Sequence, residues 1–325
     1  LLLLPRSLER DEGQVRLWLM TDPTPLFVAD IPADISPEPD ADPPAESVSL
    51  GERPDRGADP ARVHVWREGR QVEVSDWIAR ETPIALIFNG ISHAVMMASP
   101  GDLYDFALGF GITEGLLASP AELYGVDVVE VQQGVEVHLE VSSACAWRLR
   151  ERRRNLAGRT GCGLCGTDSL SQVRRVPDTM AHPVSLVPKA LFRAETGLKN
   201  AQVLQKLTGA THAAAWCNLD GEVQLLREDV GRHNALDKLI GAMIRADVPV
   251  AEGFVAITSR ASFEMVQKTA MIRAGALMAV SAPTTMAVQL AEACGVALAG
   301  LVRDGRRMVA YTFPERLGLP PVMAG

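Results

Sequence analysis

A mixed α/β fold is expected, in two unequal parts. Residues 62–158 read as an α+β unit, and residues 189–318 as an α/β domain whose sheet carries helices on both faces. Three observations predict this. Beyond residue 189, short apolar runs alternate regularly with helix-length amphipathic stretches, as in a sheet covered by crossover helices. Between 62 and 158, runs of period two meet at turns containing Gly or Asn, the signature of hairpins. Upstream, residues 1–60 hold ten of the 21 prolines, which sets that segment apart.

Each element follows from its local pattern. Segment 1–61, acidic and rich in proline, buries too little apolar surface to offset chain entropy and is expected to be disordered, save a short element near 15–20. Val63 and Val65, then Val72 and Val74, alternate about Glu68-Gly69-Arg70. Residues 84–88 and 94–98 form two more strands about Asn89-Gly90. Pro100-Gly101-Asp102 opens a helix that places Leu103, Phe106, Ala107 and Phe110 on one side and runs to about Leu117. Strands 126–131 and 135–141 pair across Gln132-Gln133-Gly134, and an arginine-rich helix at 144–157 follows. Residues 159–188 read as a cysteine-bearing loop and a connector. A helix is expected over 189–207, then strands 213–218 and 223–227 joined by Asp220-Gly221. Asn234 is placed as the N-cap of a helix to about Ala246. Strand 254–258, helix 263–273, strand 277–280, helix 284–293 and strands 297–301 and 308–311 complete the domain. Residues 319–325 are a tail.

Net charge is −8, and residues 1–60 account for all of it, with five basic and thirteen acidic side chains. The neutral remainder with one arginine cluster suits local anion recognition, not a nucleic-acid-wide basic face. Five cysteines scattered over 325 residues do not make a secreted disulfide framework. Cys145, Cys217 and Cys294 sit among small or apolar neighbours and are expected to be buried. No run of about 18 apolar residues offers a transmembrane helix. A reducing cytoplasm is the expected compartment, with neither nucleic acid nor membrane as partner.

Gly161-Cys162-Gly163-Leu164-Cys165-Gly166 is the densest chemical signal. Glycines on every side belong to a pliable, accessible loop. The run from Trp147 to Arg154, with Arg159, brings guanidinium groups that favour a thiolate. A structural zinc site wants four ligands, and no second Cys pair or His pair exists, although zinc bridging two subunits remains open. A thioredoxin-like dithiol opens a helix after the first strand, whereas this pair is mid-chain. The zinc-deaminase pattern fails because Gly161, and not proline, precedes Cys162. A sulfur carrier needs a mobile loop and an accessible thiolate, and this segment offers both; an idle loop is the plain alternative.

A second cluster, Arg227-Glu228-Asp229-Val230-Gly231-Arg232-His233-Asn234, leaves a strand and enters a helix, where open α/β sheets bind ligands. A salt-linked capping turn is the plainer reading. Thr258-Ser259-Arg260-Ala261-Ser262 and Ser281-Ala282-Pro283-Thr284 occupy equivalent places, so three turns would share one rim. A basic turn, Leu301-Val302-Arg303-Asp304-Gly305-Arg306, lies near the end. Of six histidines only His233 stands in suggestive company, and no spacing suits a metal.

In this order the cysteine loop, the run from Arg227 to Lys238, Thr258-Ser259-Arg260 and Ser281-Ala282-Pro283-Thr284 resemble the formate dehydrogenase accessory sulfurtransferase family. The resemblance covers about residues 62–318. It implies a three-layer, cytidine-deaminase-like C-terminal domain and a cytoplasmic homodimer. It also implies a sulfurtransferase that takes sulfur from a cysteine desulfurase and passes it to a molybdenum or tungsten bis-molybdopterin guanine dinucleotide before formate dehydrogenase receives that cofactor. On this basis Cys162 would carry a persulfide, and Cys165 would assist transfer or shield it. Leu301, Val302, Arg303, Asp304, Gly305 and Arg306 would contact the cofactor or a guanine nucleotide. Arg232 and Arg260 suit its phosphates, with His233 beside them, and Asp229 or Glu228 its guanine edge. The alternatives are a non-catalytic cofactor chaperone and a zinc-bridged structural dimer.

Overall fold

The computed structural model describes residues 10–11, 14–15, 57–156 and 180–320. By its contacts the chain falls into two units, residues 1–48 and 49–325. In the first, β1 (Arg10–Asp11) and β2 (Gln14–Val15) form a short antiparallel ladder. Most of segment 1–61, and the cysteine loop with Cys162 and Cys165, lie outside the described residues.

The second unit opens with the hairpin of β3 (Ala58–Arg67) and β4 (Arg70–Ala79). Glu68 and Gly69 both have positive φ, giving the two-residue turn whose twist matches paired strands. The ladder starts four residues before the expected boundary because its base is pinned. Arg80 Nε donates to Asp59 (2.8 Å), and Leu204 closes over Gly57, where a Cβ would meet it at 2.4 Å.

Strands β5 (Thr82–Phe88), β6 (Ile91–Ala98), β7 (Leu123–Val131) and β8 (Gly134–Val141) form a sheet in the order β6-β5-β8-β7. Ile84, Leu86, Phe88, Val137 and Leu139 alternate onto one face and pack on α1 (Leu103–Thr113) and α2 (Ser143–Leu156). Helix α1 stops short of Leu117 because the amides of Leu116 and Leu117 both turn back to the Gly111 carbonyl.

The C-terminal part carries α3 (Pro188–Ala201), α4 (Val203–Thr208), β9 (His212–Asn218), β10 (Val223–Asp229) and α5 (Arg232–Arg245). Then come β11 (Gly253–Ile257), α6 (Phe263–Met271), β12 (Ala276–Ala279), α7 (Thr285–Cys294), β13 (Ala297–Arg303) and β14 (Arg307–Ala310). The sheet runs β10-β9-β11-β12-β13-β14, with β11, β12 and β13 parallel. Val255, Ile257, Leu277 and Leu298 pack beneath α5, α6 and α7; Phe254, Ala256, Met278 and Ala299 pack beneath α3. Both faces are covered, which is why these strands read as continuous apolar runs.

Two expectations need correction. The helix over 189–207 is broken at Gln202, which is extended (φ −72, ψ 100). Glu228 causes the break from a distance: its carboxylate accepts the Leu204 and Gln205 amides (2.8 Å each) and so starts a new helix. Asn234 is not an N-cap. Gly231 holds that position, and Asn234, a turn inside, donates to the Met97 carbonyl (2.8 Å) and to Asp229 Oδ1 (3.1 Å).

Helix α1 lies against α5 at a glycine crossing. A Cβ on Gly109 would come 1.8 Å from the Asp237 carbonyl oxygen, and one on Gly241 1.9 Å from that of Asp105. Ion pairs surround the crossing. Asp105 receives Arg227 and Arg245 (2.7 Å each), and Lys268 reaches Asp237 and Glu114 (2.9 Å each). Lys238 and Asp229, both wholly buried, pair at 2.7 Å, and Lys238 also donates to the Ser99 carbonyl. Buried charges persist only when their remaining hydrogen bonds are met, and here they are.

Candidate functional site

Strand polarity gathers the polar turns at one edge of the larger sheet. The parallel strands β11, β12 and β13 end there, while antiparallel β9 begins there at His212, opposite Asp229 at the close of β10. The three turns are stitched together. Thr258 donates its amide to Ala213 and Thr284 to Ala261, and Leu301 donates to Ser281, at 3.1 Å in each case. The expected rim is therefore one continuous surface.

Helices α5, α6 and α7 start on this rim, so their first amides and the positive ends of their dipoles meet there. Thr284 caps α7 through Ala287 N (3.3 Å). Helices α5 and α6 have no side-chain cap, since Gly231 has none to give and the Ser262 hydroxyl does not turn inward. Ser262 Oγ and Arg232 Nε are buried without a protein partner. Uncapped amides, a guanidinium and a hydroxyl with unused donors form a set that an anionic oxygen would satisfy.

Electrostatics at the rim follow from these neighbours. Burial, reinforced by Arg232 and His233, holds His212 below its ordinary value, against a weaker opposing pull from Asp229. His233 Nε2 lies 2.5 Å from Glu264 Oε2, and this close contact holds the Glu264 carboxyl below its usual range although burial opposes it. Beside them a cleft of about 410 Å³ is lined by Gln202, Gln205, Thr211, His212 and Thr258.

The sequence-derived residues divide sharply. Arg232, His233 and Arg260 stand on the rim, with Arg260 exposed. Arg303, Asp304, Gly305 and Arg306 form an exposed turn beyond it, where Arg303 Nε reaches the Val280 carbonyl (3.4 Å). Leu301 has φ +53 within a bulge, an uncommon conformation for a bulky residue, and it aims the following chain outward. Val302 has its side chain wholly buried in the core beneath α3, which leaves its main chain to offer. Asp229 does not suit the contact expected of it. It is wholly buried, and its carboxylate is occupied by Lys238, Asn234 and the amides of Ser99 and Gly231, so no guanine edge reaches it. Glu228 is spent on α4. Sequence reading missed His212 and Glu264, and named Ser262 only as part of the Thr258–Ser262 turn. A serine at a helix start was a usable signal for Ser262; nothing local marked His212, which strand pairing alone brings in.

Cys145, Cys217 and Cys294 are buried, as expected. Cys145 Sγ contacts the Leu116 carbonyl (3.2 Å); burial pushes the Cys217 thiol up to about 12 and raises Cys294 as well. In the arginine-rich helix, Arg148 is committed to Glu122 and to the Leu116 carbonyl. No helix among the described residues is long and apolar enough to cross a membrane.

Comparison with known proteins agrees with this architecture. The sequence profile of the FdhD/NarQ family matches residues 79–318. Sulfur carrier protein FdhD of Variovorax paradoxus is 56% identical over 246 residues, covering 75% of this chain and 88% of that protein. The protein of the same name from Cupriavidus necator is 49% identical over 278 residues, covering 86% and 92%. In three dimensions, a formate dehydrogenase accessory protein from Desulfotalea psychrophila superposes with a TM-score of 0.62 at 23% identity, over 80% of this chain and 99% of that one, which speaks to the fold. With a profile match over most of its length and relatives this near, the chain belongs to the FdhD/NarQ family.

Proposed function

We propose that this protein is a sulfur carrier that serves formate dehydrogenase, working as a sulfurtransferase in the cytoplasm. Cys162 accepts sulfane sulfur from a cysteine desulfurase. Its thiolate attacks the terminal sulfur of the donor persulfide, a new S–S bond forms on Cys162, and the donor cysteine leaves as a thiolate. Cys165 assists the onward transfer or shields the persulfide. The acceptor is a molybdenum or tungsten bis-molybdopterin guanine dinucleotide, which then passes to the formate dehydrogenase catalytic subunit.

The observation that carries this reading is the exclusion of the other thiols. Three of the five cysteines are sealed in cores, with Cys217 and Cys294 held protonated, whereas a sulfur-accepting thiol must be ionised and reachable. The relatives named sulfur carrier protein support the activity. The rim supports the acceptor: unused donors at Arg232 and Ser262, open amides of α5 and α6, and the exposed turn from Arg303 to Arg306 suit phosphates.

Intact-mass measurement after incubation with a cysteine desulfurase and cysteine tests the proposal. The wild type is expected to gain one sulfur, removable by a thiol reductant, and Cys162→Ala to gain none. Retained loading in Cys162→Ala refutes the assignment. Unchanged formate dehydrogenase activity with that variant favours a chaperone that only binds the cofactor.

A further inference from the structure

The cleft beside the rim holds a buried amide that the fold does not use. Gln202 is only 5% exposed, yet its carboxamide has no hydrogen-bond partner among the described residues. Its main-chain amide alone is engaged, with the Leu198 carbonyl (3.1 Å). Buried polar groups are nearly always paired. A carboxamide left open on a cleft of about 410 Å³, a size that suits a small molecule, calls for a ligand or for water.

The surrounding bonds hold this cleft in shape. Glu228 accepts the amides of Leu204 and Gln205 (2.8 Å each) and the Thr211 hydroxyl (3.0 Å). One carboxylate thus ties both ends of the wall and keeps Gln202 extended between α3 and α4. Gln205 is fixed as well. Its Oε1 accepts the Thr211 amide (2.8 Å), which leaves its Nε2 as a donor with no partner among the described residues. His212 lies opposite Asp229 in the ladder, close to the start of α5, and so joins the cleft to the rim. Burial, with Arg232 and His233, holds it below its ordinary value, so near pH 7 it is neutral and keeps one ring nitrogen as an acceptor.

These groups spell out a hydrogen-bonding pattern. A lone carboxamide does not tell purines apart, because it turns to suit adenine as readily as guanine. The donor fixed at Gln205 breaks that tie: it meets a carbonyl oxygen and opposes the amino group that adenine carries in the same place. We propose that this cleft seats a 2-aminopyrimidin-4-one edge, in which a carbonyl, a ring N–H and an amino group stand in a row. Gln202 accepts from the ring N–H through Oε1, and Nε2 of both glutamines donates to the carbonyl. His212 accepts from the amino group. Guanine and pterin rings both present this edge. The seat extends the acceptor reading given above, and the identity of its ligand rests on that reading.

NMR of the side-chain amides of the full chain, titrated at neutral pH with guanosine, pterin, inosine and adenosine, tests this. Guanosine, pterin or both are expected to shift the Gln202 and Gln205 signals, and the tighter of the two names the source. Inosine, which lacks the amino group, is expected to bind more weakly than guanosine, and adenosine at least about tenfold more weakly. Gln202→Met, close in volume, is expected to lower the affinity by about tenfold or more, with an unchanged circular dichroism spectrum. Should that variant not fold, the titrations of the wild type decide. No shift with either guanosine or pterin, the result if the cleft holds water only, overturns the proposal. So does adenosine or inosine binding as well as guanosine, or an affinity indifferent to Gln202→Met. Inorganic pyrophosphate, titrated alongside, reads the phosphate donors of the rim without the seat; its failure to bind defeats the acceptor reading, while guanosine and pterin still decide the seat.

Discussion

Asp229 shows how a residue's company can mislead. In the sequence it stands among arginine, histidine and asparagine and reads as a ligand contact, whereas in the fold it neutralises Lys238 where water does not reach. Asp229→Ala is therefore expected to cost about 3–5 kcal/mol by leaving a buried ammonium unpaired, measured by chemical denaturation. A guanine-contacting role would instead give a stable protein that binds nucleotide poorly. His212 permits a different test. Because burial, Arg232 and His233 hold it below its ordinary 6.5, an anion bound at the rim would favour its protonated form. Binding of a guanine nucleotide is expected to take up protons and to tighten as pH falls from 7.5 toward 6, read by calorimetry in two buffers of different ionisation enthalpy. Pairing of β9 with β10 and β11 places this histidine, which is why no local motif announced it.

Among the elements, the α1–α5 crossing depends on two missing side chains. Gly109→Ala and Gly241→Ala each drive a methyl into main chain that has nowhere to move. Each is expected to lose about 3 kcal/mol or more of stability, seen as a lower denaturation midpoint with the slope unchanged. Most elements were legible from the sequence because period two and period 3.6 survive in the buried faces of β5, β8, α1 and α5. The failures share one cause. Gln202 ends a helix, and Asn234 is displaced from its cap, through bonds to Glu228, Met97 and Asp229, residues distant in sequence or in another element. Propensity within a window carries no record of such partners. The rim was legible as three strand-to-helix turns, but which of its side chains stay free was not.

For the whole molecule, stability should fall on both sides of neutrality. On the acid side, His212 below its ordinary value resists a proton that the unfolded chain accepts, so stability drops as pH falls through 6.5. Glu264, held low by His233, adds a second loss as pH falls from about its ordinary 4.5 through its lower folded value. On the alkaline side burial works against the Lys268 ammonium, yet Asp237 and Glu114 hold it above its usual range. Its contribution is full below the ordinary 10.5 and is lost as pH rises through the folded value. Thermal denaturation between about pH 2 and 12 is expected to trace a plateau with both shoulders; Glu264→Gln should flatten the lower part of the acid one.

The acid–base contacts about α1 also bear on how this protein can be recombined. Asp105, Thr113 and Ser99 come from the first half, while Arg227, Arg245, Asp237 and Lys238 come from the second. A hybrid joined within residues 157–179, taking its halves from two relatives, inherits a working junction only when donor and acceptor were matched in both parents. Halves drawn from lineages that differ at Asp105, or at Arg227 and Arg245, would strand a charge in the interior, and the hybrid would precipitate although each half is individually sound.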